Sequence, residues 1–122
     1  MTRRILVTGS RDWTNEAIMR SALGDAWLRA GQSDDAILVH GAARGADSLA
    51  ARLWEEGGFR TEAYPARWNQ YGKAAGFIRN KLMVDLGADE CIAFPLGISR
   101  GTRSCMTLAR AAGIPVYDYE PN

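Results

Sequence analysis

Short apolar runs in this chain stop at a glycine or proline, and each is followed by a stretch with helical periodicity. Ile5–Thr8 stops at Gly9, Ala36–His40 at Gly41 and Cys91–Phe94 at Pro95, with a weaker run at Thr61–Pro65 and a last one at Pro115–Tyr119. The runs lack the polar alternation of a half-solvated sheet, as strands covered on both faces do. Between them lie four helical stripes. The first is Ile18, Met19, Ala22, Leu23, Ala26, Trp27 and Ala30, with Thr14 as its expected cap, Glu16 in its first turn and Gly31 after its end. The second is Leu49, Ala50, Leu53 and Trp54, ended by Gly57-Gly58. The third is Ile78, Leu82 and Leu86, ended by Gly87, and the fourth is Cys105, Met106, Leu108, Ala109 and Ala112, ended by Gly113. Strict β-α alternation predicts an α/β fold: a Rossmann-like, doubly wound sheet of about five parallel strands with helices on both faces. At 122 residues the expectation is a single domain over 1–122, able to fold without disulfide or metal.

Several function classes drop out. No apolar run is long enough to span a membrane. Arg3-Arg4 precede only a few apolar residues before Gly9, too few for the core of an export signal. Cys91 and Cys105 are not clustered, and His40 is the only histidine, so no metal site is expected. His40 ends a strand, where a hydrogen-bonded structural role is expected. Unclustered cysteines without an export signal suggest a reducing, cytoplasmic setting. No P-loop, G-x-G-x-x-G fingerprint or serine-hydrolase pattern is present.

In an open α/β sheet, ligands bind beyond the carboxyl ends of the strands. The segments expected there are Gly9-Ser10-Arg11-Asp12-Trp13, Gly41-Ala42-Ala43-Arg44-Gly45-Ala46-Asp47, Pro65-Ala66-Arg67-Trp68 and Pro95-Leu96-Gly97-Ile98-Ser99-Arg100-Gly101-Thr102. Glycines let a ligand approach backbone amides, and helix N-termini favour anions. Each segment also carries an arginine, whose guanidinium fork suits phosphate: Arg11, Arg44, Arg67 and Arg100. Amides of Gly9–Arg11, Gly41–Gly45 and Gly97–Thr102 are expected to hold phosphate, Asp12 and Asp47 to meet ribose hydroxyls, and Trp13 or Trp68 to stack on a base. The chain has 13 arginines, yet its net charge is only +1, which fits a compact anion pocket better than a surface for long nucleic acid. Arg20, Arg29, Arg52 and Arg110 are expected on solvated helix faces.

Four segments, Ile5–Trp13, His40–Ala50, Tyr64–Met83 and Ala93–Thr102, resemble the YspA-like branch of the SLOG superfamily, in order and over nearly the whole chain. The resemblance implies a Rossmann-like fold and a nucleotide or nucleotide-derived ligand, a nucleoside phosphate or an ADP-ribose-like molecule, with no further cofactor. The superfamily includes the DprA proteins and the "lonely guy" phosphoribohydrolases. Pro95, Gly97, Gly101 and Thr102 look like the latter's PGGxGTxxE motif with a longer loop, and Arg79, followed by Asn80, like the arginine of its MxxRK motif. Cys105 stands where that motif has glutamate, and Gly76 and Asn80 replace the methionine and lysine, which argues against phosphoribohydrolase chemistry by that mechanism. Asp47 and Arg79 are the catalytic candidates if a reaction occurs. The alternatives are hydrolysis of an N-glycosidic or phosphoester bond and, less favoured by charge, DprA-like nucleic-acid binding. The related phosphoribohydrolases imply a homodimer, here through the exposed side of the third and fourth helices.

Overall fold

The computed structural model describes residues 2–121. Its sheet is wholly parallel, built from β1 (Arg4–Gly9), β2 (Ile37–His40), β3 (Arg60–Ala63), β4 (Glu90–Phe94) and β5 (Val116–Asp118) in the order β3-β2-β1-β4-β5. The connecting helices are α1 (Glu16–Arg29), α2 (Ala46–Glu56), a short α3 (Trp68–Tyr71) running into a 3-10 turn at Gly72–Ala74, α4 (Ala75–Leu86) and α5 (Arg100–Ala111).

Side chains alternate across β1, so one strand feeds two cores. Ile5 and Val7 join Met19, Leu23, Leu53 and Trp54 of α1 and α2 on one face. Leu6 joins Met83, Val84, Cys105 and Ala109 of α4 and α5 on the other. This double burial is why the strands read as unbroken apolar runs. The order of the sheet reverses at β1, so the loops after β1 and β4 diverge and leave a crevice at their carboxyl ends.

Local details depart from the sequence reading. Asn15, not Thr14, caps α1, its side chain accepting from the Ile18 amide at 3.0 Å. The stripe Ile78, Leu82 and Leu86 does not face the core. All three are exposed, and α4 instead buries Ala75, Asn80, Met83 and Val84. Asn80 decides this rotation, because its amide nitrogen donates to the Gly101 carbonyl at 3.2 Å and ties α4 to the start of α5. Ala112 is also exposed. Arg29 is not a solvated helix residue. Its guanidinium donates to the fully buried Glu90 at 2.6 and 3.0 Å and lies over the Tyr117 ring.

Candidate active site

A cleft of about 310 Å³ opens at the carboxyl end of the sheet between the loops after β1 and β4. Thr8, Gly9, Ser10 and Arg11 form one wall, and Ser99, Arg100, Gly101 and Thr102 the opposite one. Asp47 and Ala43 close it from the α2 side, and Trp68, Lys73, Gly76, Phe77, Arg79, Asn80 and Met83 from the α3–α4 side.

Arg79 organises the floor. It donates to the Gly41 carbonyl, to the Tyr64 carbonyl at 3.4 Å and to the Asn80 side chain at 2.8 Å. With the Asn80–Gly101 bond, one side-chain chain links the ends of β2, β3 and β4. A Cβ on Gly41 would sit 2.2 Å from Arg79 Nη1, so glycine is what admits the guanidinium. Arg79 Nη2 has no protein acceptor among the described residues. Burial lowers the guanidinium's pKa, with Asp47 opposing, and the group stays charged.

Asp47 is almost fully buried, and its carboxylate accepts the Gly41 amide at 2.9 Å and is bonded by that of Ala43. Burial raises its pKa to about 6. The two amides, Arg79 and Arg11 pull the other way, yet no cation forms an ion pair with it among the described residues. The Ala42 amide donates to His40 Nδ1 at 3.0 Å, and burial lowers the pKa of this ring, so His40 is a neutral turn-bracing residue. The amides of Gly41, Ala42 and Ala43 are therefore already engaged. Local side chains cap the turn from within, a use that glycine content does not reveal.

The amides that remain open are on α5. Ser99 gives no side-chain cap, and the first amides of the helix, from Arg100 to Thr102, have no protein acceptor among the described residues. Ser99 itself is left-handed at φ 44°, as is Ala42 at φ 57°, so both loop tips hold backbone that costs of order 1 kcal/mol. Arg103 donates to the Gly97 carbonyl at 2.7 Å and so fixes the β4–α5 loop from behind.

The remaining sequence candidates are spread around this cleft. Gly41, Ala42 and Arg44 line a neighbouring hollow, and Arg67 lines a third with Tyr64, Tyr71 and Leu82. Asp12 is exposed and meets Arg44 at 3.6 Å. Gly45, Pro95 and Gly97 line none of the three. Gly45 has φ 79°, and a Cβ there would lie 2.4 Å from the Ser10 carbonyl oxygen, so it is needed for packing the two loops together. Trp13 is 2% exposed, packs edge-on to Phe94 at 5.2 Å and donates to the Asn15 carbonyl, so it cannot stack on a ligand. Trp68 is half-exposed, with the Arg11 guanidinium 5.2 Å from its ring. Cys105 is fully buried in the α4–α5 core. Burial raises its thiol pKa to about 11, despite a hydrogen bond with Thr8, so it offers no charge to the cleft. Lys73, Gly76 and Phe77 line the cleft without having been singled out as ligand residues. The irregular α3 and 3-10 segment that delivers Lys73 has no periodic signal.

Among the described residues, the cations without an acid partner are Arg11, Arg67, Lys73, Arg79, Arg100 and Arg110, and four of these line the cleft. Its one acidic residue is the buried Asp47.

"Gene 61 protein" of Mycobacterium phage D29 is 47% identical to this chain over 123 residues, covering 96% of each. DNA processing protein A (DprA) from Streptococcus pneumoniae superposes with a TM-score of 0.72 at 18% identity, over 96% of this chain and 50% of that one. This chain thus spans half the length of that DprA chain, and the likeness is one of fold. The Moco carrier protein from Chlamydomonas reinhardtii superposes with a TM-score of 0.59 at 17% identity, over 97% of this chain and 76% of that one. The family model for YAcAr, the YspA, cpYpsA-related SLOG family, matches residues 3–71, from the first strand through α3. With the crevice and its loops in the positions described, the chain belongs to the YspA, cpYpsA-related SLOG family.

Proposed function

We propose that the chain binds a nucleotide or nucleotide-derived ligand in the cleft between the β1 and β4 loops. The observation that carries this is the segregation of charge. Most surface cations are in ion pairs, such as Arg52 with Glu16 and Arg60 with Asp35, whereas Arg11, Lys73, Arg79 and Arg100 converge unpaired on one concavity. Phosphate fits against the open amides of α5, with Arg100 and Lys73 as counter-charges. Trp68 offers a half-exposed ring for a base, and Asp47 a hydrogen-bond acceptor for a ribose hydroxyl. A volume of about 310 Å³ suits a mononucleotide-sized moiety. Compact, unpaired charge of this kind favours a small anion over a polymer, which would need a continuous basic face. Titration calorimetry with nucleoside monophosphates, ADP-ribose and NAD tests the proposal. Binding that weakens sharply in Arg100→Ala supports it, and no binding by folded protein at millimolar ligand overturns it.

A second reading, hydrolysis of an N-glycosidic or phosphoester bond in the ligand, is favoured by Asp47 alone. A cleft-lining carboxyl with a pKa of about 6 can take a proton from water and return it to a leaving group. Product analysis on wild type and Asp47→Asn separates turnover from binding, and equal turnover in both removes Asp47 from the reaction.

The family resemblance and the α4 surface together support a homodimer, and the free, buried Cys91 and Cys105 support a reducing, cytoplasmic setting. Phe77, Ile78, Leu82 and Leu86 make an exposed apolar row on α4, which a second copy would cover. No helix among the described residues is long and apolar enough to cross a membrane.

A further inference from the structure

A second hollow of about 370 Å³ adjoins the cleft. Its own walls are Gly41, Ala42 and Arg44 of the β2–α2 loop and the Pro65-Ala66 turn after β3, and it shares Arg11, Ala43, Trp68 and Arg79 with the first cleft. The cations sort by compartment. Lys73 and Arg100 line only the first, Arg44 only the second, and Arg11 and Arg79 both. Arg44 meets only Asp12, at 3.6 Å, and the two side chains are 74% and 82% exposed. So open an ion pair contributes little and yields readily to a competing anion. Pro65 and Ala66 give this hollow an apolar wall, and Pro65 has no amide to offer. Lys73 and Arg100 at one end and Arg44 at the other, with Arg11 and Arg79 along the way, match two separated negative charges better than one.

Resting on the nucleotide proposal, we infer that this second hollow is an anion subsite of the same ligand, and that the ligand is a nucleotide carrying a second phosphoryl group on the far side of its sugar. One phosphoryl group lies against the start of α5. The sugar crosses beside Arg11, with Trp68 left to the base, and the second group reaches the Arg44 fork in place of Asp12.

The test compares AMP with adenosine 3′,5′-bisphosphate by titration calorimetry on the full chain. Wild type should bind the bisphosphate about tenfold or more tightly than AMP, the value of one charge-assisted contact. In Arg44→Ala the preference should shrink severalfold, with the remainder resting on Arg11 and Arg79. In Asp12→Asn, which removes the competing carboxylate, the preference for the bisphosphate should grow. Equal affinities in wild type, or a preference unchanged in Arg44→Ala, overturn the subsite while the nucleotide proposal stands. Failure of both probes to bind overturns the two together.

Discussion

The Arg79 guanidinium donates to the carbonyl of Gly41, 38 residues earlier in the chain, while the amide of the same Gly41 donates to Asp47. One glycine is thus held from both sides, by a cation of α4 and an anion of α2. This bracket fixes the β2 loop against the cleft and occupies amides that would otherwise be open to a ligand.

The two loop glycines should respond differently to alanine. In Gly41→Ala the new methyl meets the far end of Arg79, which can swing away at the loss of its hydrogen bonds. In Gly45→Ala it meets the backbone of Ser10 and Arg11 at 2.4–2.5 Å, with φ at 79° besides. We expect Gly45→Ala to destabilise by about 2–4 kcal/mol and Gly41→Ala by about 1 kcal/mol. In a thermal-denaturation cycle, Gly41→Ala with Arg79→Ala should be less than additive, since each removes the same contact. Equal losses for the two glycines would contradict this.

Asp47 should give the stability curve a negative slope in mild acid. Its pKa rises from 3.8 unfolded to about 6 folded, so between these values the folded state holds a proton that the unfolded state has released. Stability from this group is therefore present at pH 4 and is lost as pH rises through 6, on the order of 3 kcal/mol at 1.36 kcal/mol per pKa unit. His40 acts in the opposite direction, because burial lowers its pKa and an unfolded imidazole gains its proton first. Asp47→Asn isolates the effect. Its urea-derived stability relative to wild type should improve steadily from pH 4 to pH 7, whereas parallel curves would remove Asp47 as the source.

Stability and binding should separate across the sheet. Arg29 and Glu90 lie at the amino ends of the strands, opposite the cleft, with Arg3 as a second partner of Glu90 at 2.9 Å. Arg29→Ala leaves a fully buried carboxylate with one partner and should cost about 2–3 kcal/mol in urea unfolding. Nucleotide affinity should not change. A parallel loss of affinity would show that the two ends of the sheet are coupled.

The strands were legible because both faces are buried, which leaves unbroken apolar runs, and because Gly9, Gly41 and Pro95 stop them. The edge that carries the cleft followed from the β-α order alone. The face of α4 was not legible. Ile78, Leu82 and Leu86 have helical spacing, but the polar bridge from Asn80 to Gly101 turns them outward, and that contact spans two elements. The role of the β2-loop amides was likewise hidden, since Asp47 and His40 claim them through side-chain geometry rather than residue type. Trp13 and Trp68 both sit in loops, and only packing against Phe94 separates the buried one from the exposed one.

The outward row on α4 gives a direct check on self-association. Leu82→Glu places a charge in the middle of the exposed apolar row without touching the core. Light scattering should give a dimer mass for wild type and a monomer mass for the variant. A monomeric wild type would contradict the homodimer.

The role proposed for the unpaired cations at the carboxyl edge of the sheet is to bind the phosphate of a nucleotide. Calorimetric titration of AMP into wild type and Arg100→Ala tests it most directly. Binding to wild type that weakens about tenfold or more in the variant, at unchanged melting temperature, is the predicted result. Equal affinity in the two proteins, or no heat of binding to folded wild type at millimolar AMP, would contradict it.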